Sequence, residues 1–150
     1  MSEVLFYHLE AQPLERVLPQ LLEKTVERGW RAIVETASHE RAVALDALLW
    51  TYRDDSFLPH GIAGEGPDSD QPILIAVDGE NPNAATVRFF VDRAVPSSAE
   101  GYDRIVYLFS GHDPDAVSDA RLAWKALQSG NTLTYWQQDD GGRWVKKAGG

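Results

Sequence analysis

Residues 73–77 read ILIAV, the most strand-like run in the chain, and its lack of alternation decides the fold class. A strand with one wet face alternates apolar and polar residues, whereas an unbroken Ile/Leu/Val run is covered on both sides. Short apolar runs recur at residues 4–8 (VLFYH), 31–36 (RAIVET), 85–91 (ATVRFFV) and 102–110, with IVYLF at its centre. Helical spacing fills the gaps between them. After Pro13, residues Leu14, Val17, Leu18, Leu21, Leu22 and Val26 share one face as far as Gly29, the expected C-cap. Pro19 interrupts that pattern and predicts a kink, or a start nearer Glu15. Ser38 is a good N-cap for a second helix through Ala42, Leu45, Leu48 and Leu49, ending near Trp50. Asp113 or Asp115 caps a third, carrying Val117, Ala120, Leu122, Ala123, Trp124 and Leu127, which Gly130 ends. Residues 132–137 and 143–147 flank Asp139-Asp140-Gly141-Gly142 and read as a β-hairpin. The alternation predicts an α/β protein: a three-layer α/β/α arrangement with a largely parallel central sheet and a C-terminal β-hairpin. No repeat or long linker divides residues 1–150, so a single domain is expected.

Composition narrows the function. With 43% hydrophobic and 25% charged residues, the chain has the balance of an ordered globule. It has no cysteine, which excludes disulfides and thiolate metal sites and fits a reducing cytoplasm. The N-terminus lacks a basic segment and reads as a first strand rather than a signal peptide. No run approaches a membrane span. A net charge of −9 argues against the body of the protein gripping nucleic acid. That charge is unevenly spread. Residues 1–120 hold nine basic and 21 acidic side chains, whereas residues 121–150 hold five basic and two acidic ones. The basic C-terminal fifth is either a solvated face or a dock for something anionic.

Two stretches carry the functional reading. Residues 45–66, LDALLWTYRDDSFLPHGIAGEG, pass from a helix into a loop where Trp50, Phe57, Leu58 and Ile62 crowd among prolines and glycines. Large apolar groups in a loop are either a lid on the protein's own core or an anchor for a partner. On the third helix, Arg121, Trp124 and Lys125 are spaced to share a face. A guanidinium, an ammonium and an indole together suit a peptide that ends in a carboxylate beside an aromatic side chain. The alternative is a core Trp124 coated by two snorkelling cations.

Catalysis finds no comparable support. Gly61-x-x-Gly64-x-Gly66 leaves a helix and enters a strand, the reverse of a dinucleotide loop, so its glycines are expected to serve turns. The histidines show no metal-ligand spacing, and His60 reads as a hydrogen-bonded structural residue. No cofactor or metal is expected. The competing class is an α/β enzyme or nucleotide-binding domain whose site is assembled from strand ends.

The motif Leu45-Asp46…Leu49-Trp50, then Ser56-Phe57-x-Pro59-His60-x-x-Ala63-Gly64-Glu65-Gly66, resembles the signature of the chi subunit of bacterial DNA polymerase III. The similarity extends over nearly the whole chain and includes the Arg-x-x-aromatic-Lys helix. It implies a Rossmann-like fold without its cofactor and a non-catalytic role in DNA replication within the clamp-loader complex. It further implies binding of the acidic, phenylalanine-ended tail of the single-stranded-DNA-binding protein, at Arg121, Trp124 and Lys125. A second interface, with the psi subunit or an equivalent clamp-loader component, falls on Trp50, Phe57 and Pro59, with Ile62 nearby. Contact with DNA is then indirect. Where family members can carry a further Lys one turn before the Arg, this chain has Val117. That departure implies weaker tail binding or recourse to Lys146 or Lys147.

Overall fold

The computed structural model describes residues 2–52 and 58–149. In chain order these form β1 (Ser2–Leu9), α1 (Leu14–Glu27), β2 (Ala32–Glu35), α2 (His39–Thr51), β3 (Gly61–Ile62), β4 (Ile73–Ala76), β5 (Val87–Phe90), β6 (Arg104–Ser110), α3 (Pro114–Leu127), β7 (Asn131–Gln138) and β8 (Trp144–Gly149). The strands make one sheet in the order β3-β4-β2-β5-β6-β1-β7-β8. Every pairing is parallel except β7 with β8, the expected hairpin.

The helix boundaries follow local chemistry. Pro13 is the N-cap of α1, which begins at Leu14 and runs through buried Pro19. Past its end, the Gly29 N–H donates to the Val26 carbonyl and the Trp30 N–H to the Thr25 carbonyl, a Schellman closure that needs the left-handed φ of +77° at Gly29. The Ser38 hydroxyl accepts from the Arg41 N–H to open α2. The Asp113 carboxylate accepts from the Asp115 and Ala116 N–H groups to open α3.

The helices are divided unevenly between the two faces. Val17, Leu18 and Leu22 of α1 and Ala42, Leu45 and Leu49 of α2 pack with Ala32, Val34, Ile73, Ile75, Phe89 and Val106 on one side. On the other, Ala116, Ala120, Ala123 and Leu127 of α3 cover Val4, Phe6, Ile105, Tyr107 and Leu133. α3 sits over β1, β6 and β7 with Phe90 of β5 at its border, and farther along the same face loops close over Ile33, Leu74 and Ala76. There Arg88, read from sequence as part of an apolar strand, is 3% exposed. Its Nε and Nη2 donate to Glu35 Oε1 at 3.0 and 2.5 Å, and Nη1 donates to the Tyr102 hydroxyl at 2.8 Å. Further bonds to the Asp78 and Glu80 carbonyls leave no donor direction empty, which is what a buried cation requires. The two-residue β3, too short for any periodicity, adds an edge that the sequence pattern does not reveal.

Candidate functional site

β1 and β6 are neighbours whose chains leave for opposite faces, into α1 and α3. This is the switch point at which Rossmann-like sheets hold ligands. A cavity of about 500 Å³ opens there, lined by Leu9, Leu14, Tyr107 and Phe109 with Glu10, Asp92, Arg93 and Asp113 at its polar side. Its two anion-binding positions are filled from within. The N–H groups of Glu10, Ala11 and Gln12 all donate to Gln138 Oε1, at 3.0, 3.2 and 3.1 Å. The α3 N-terminus is taken by Asp113, whose carboxyl is held below its ordinary range by the Ala116 N–H and by Arg93. An incoming phosphate would meet an amide oxygen in one place and a carboxylate in the other. Both repel it.

The exposed side of α3 is built differently. Trp124 packs edge-on against Phe6 at 5.1 Å and against Tyr135 at 5.9 Å, so one side of the indole belongs to the core while the residue stays half-buried. Trp124 is thus partly core, and its remaining surface lies on the side of α3 that carries Arg121 and Lys125. Arg121 and Lys125 are exposed, and among the described residues neither has an ion-pair partner, whereas Arg93 pairs with Asp113 and Asp119. Burial pushes the Tyr135 hydroxyl up, and the nearby Arg121 guanidinium pulls it back. That hydroxyl meets His8 Nδ1 at 2.6 Å, and His8 Nε2 meets Glu10 Oε1 at 2.7 Å. The chain of contacts fixes the ring that supports Trp124 and gives no signal in the sequence.

Lys146 does not join this group. Tyr135 packs on the α3 side, so Trp136 turns to the opposite side, and Lys146 is the cross-strand partner of Trp136. Cross-strand partners share a face, which puts Lys146 on the far side of the sheet from Arg121.

At the end of α2 the loop is both lid and projection. Leu58 is 3% exposed and closes the core, and Ile62 of β3 packs against the same core half-buried. His60 is buried as expected, its Nδ1 2.6 Å from the Leu58 carbonyl and its Nε2 3.1 Å from Asp46 Oδ1. Trp50 sits over the His60 ring at 4.6 Å yet remains 51% exposed. Val43, 48% exposed, lies two turns earlier, with exposed Ala47 between them at helical spacing. Pro59 is half-buried, and Phe57 lies outside the described residues. Gly64, with φ of +87°, donates its N–H to the Asp68 carboxylate, a turn as expected and no phosphate cradle.

Residues 1–134 match the family model described as "DNA polymerase III chi subunit, HolC". Similar proteins include the probable DNA polymerase III subunit chi of Rickettsia prowazekii, 29% identical over 87 residues that make up 58% of this chain and 53% of the relative. The DNA polymerase III subunit chi of Escherichia coli is 32% identical over 63 residues, 42% of this chain and 43% of the relative. That of Pseudomonas aeruginosa is 33% identical over 85 residues, 55% of this chain and 58% of the relative. The chain spans about half the length of the curated relatives it matches.

Proposed function

The chain belongs to the DNA polymerase III chi subunit family, and on that premise we propose that it is a non-catalytic accessory subunit acting in DNA replication in the cytoplasm. Its task is to link the clamp loader to single-stranded-DNA-binding protein. Arg121 grips the C-terminal carboxylate of that protein's acidic tail, Lys125 adds charge, and Trp124 walls the pocket for the terminal phenylalanine. The observation that carries this reading is a pair of exposed cations, unpaired among the described residues, on either side of a half-buried indole in a chain of net charge −9. In a protein with so many carboxylates, cations left without partners are available to an external anion.

The clamp-loader side is assigned to Trp50, Phe57, Pro59 and Ile62, which take the psi subunit or an equivalent component. The exposed stripe of Val43, Ala47 and Trp50 supports this assignment, because a helix apolar on its outer side as well is one that a partner covers.

Titration with an acidic, Phe-terminated peptide tests the first interface. Binding is expected to weaken with salt, and to weaken by about 1.5–3 kcal/mol in Arg121→Ala at an unchanged melting temperature. A loss of stability instead, with peptide affinity retained, would return Arg121 to a coat over the core.

A further inference from the structure

On the face where α1 packs against Leu5, Tyr7 and Leu9 of β1, no α1 or α2 residue is grouped with β7, and the border of α1 with β1, β7 and β8 has its own chemistry. Tyr7, Trp136 and Lys146 are register partners, forming one row across the three strands. Trp144, two pairs along β8 and therefore on the same face, meets the Tyr7 ring edge-on at 4.9 Å. At the opposite end of the strands, Trp30 carries the guanidinium groups of Arg28 and Arg104, each 5.0 Å from its ring centroid. Lys24 of α1 shares a hollow with Tyr7, Arg28 and Arg104 and so connects the two ends. All four rings are partly buried, each keeping some surface open to solvent. Among the described residues Lys24, Arg28 and Lys146 have no ion-pair partner, and Arg104 faces Glu3 at 3.5 Å. The strip follows β1 from Glu3 to Leu9, roughly 20 Å at the rise of an extended strand.

We propose that this strip binds single-stranded DNA directly. Partly buried rings with cations beside them along a sheet are what unpaired bases and their phosphates require: Trp136 and Trp144 offer ring surface to bases, and the cations, including the Arg28 and Arg104 groups over Trp30, displace counterions. Tryptophan has a face for every base, so little sequence preference is expected. A duplex keeps its bases stacked and offers the strip only its backbone. An acidic peptide carries few aromatic groups and uses a single pocket, whereas here rings stand at both ends of the strip. The net charge of −9 opposes such binding overall, and the local excess of cations overcomes it only at short range. The strip lies across the sheet from Arg121, so the tail-binding reading and this one stand or fall separately.

The test is fluorescence anisotropy of a labelled oligothymidylate titrated with the full chain at low salt. Saturable binding that weakens as salt rises is expected. The Arg28→Glu/Lys146→Glu pair should weaken it at least tenfold, and Trp136→Ala by about 5- to 100-fold, the range seen when a stacked ring is removed. Arg121→Ala should leave it unchanged, and the two strip variants should bind the acidic peptide as the wild type does. If Trp136→Ala loses its native circular dichroism, the charge-reversal pair decides alone, since both side chains are exposed. The proposal is overturned by an absence of saturable binding, by equal affinity for duplex DNA, or by strip variants that bind DNA normally.

Discussion

α2 and α3 rest on the same sheet and present opposite kinds of surface. From Ala42 to Trp50 the only charged residue of α2 is Asp46, and its outer side shows Val43, Ala44, Ala47 and Trp50. α3 alternates small buried alanines with an outer side where Arg121 and Lys125 flank Trp124. The first surface gains by losing water, which is insensitive to salt and strong per residue when an anchor fills a pocket. The second gains by charge, which is screened and sets encounter rate and specificity more than affinity. Under the proposed function, one domain would hold a lasting partner on one side and exchange another on the opposite side.

The comparison breaks most severely at the sheet beneath both helices. Arg88→Ala strands Glu35 and empties a saturated site, so a loss of about 3–5 kcal/mol is expected in urea denaturation, with both surfaces failing together. Survival of one surface without the other would show that they fold independently. Next come the apolar anchors: Trp50→Ala and Phe57→Ala should each weaken the clamp-loader partner by about 2–4 kcal/mol in calorimetry. Trp50→Ala also uncovers the buried His60 ring, so a stability loss of about 1 kcal/mol in denaturation is expected, smaller than its effect on the partner. Arg121→Ala should cost the tail peptide about 1.5–3 kcal/mol, the worth of hydrogen bonds to a charged group. Raising salt should deepen the contrast, weakening the peptide complex and sparing the apolar one; equal sensitivity of both would remove it.

The smallest effect separates the helix caps. The depressed carboxyl of Asp113 stabilises α3 above its ordinary pKa, and that contribution is lost as pH falls through the lower folded value. The Ser38 hydroxyl that caps α2 does not titrate. Thermal melts in acid should show wild type converging on Asp113→Asn, with Ser38→Ala keeping a constant offset from wild type.

Much of this was legible residue by residue. Ser38, Asp113 and Gly29 mark helix ends because a cap is satisfied within a few residues of itself. The face shared by Arg121, Trp124 and Lys125 follows from helical spacing alone. Trp50 was visible as an oddity, but whether its loop covers or projects was not, because Leu58 and Trp50 are equally apolar and only packing sends one inward. Arg88 gave no sign of its burial, since its acceptors lie on β2, on the Tyr102 ring and in the loop after β4.

The sequence by itself determined the kind of each main element, the hairpin and the parallel class of the sheet, because periodicity and capping act over neighbours three or four positions apart. The tertiary structure alone decided the strand order, the capping of the Glu10, Ala11 and Gln12 N–H groups by Gln138 beside the switch-point cavity, and the separation of Lys146 from Arg121 onto opposite faces. Those depend on which distant strands pair and in what register. A shift of one residue there turns every side chain to the other face, and no local pattern records it.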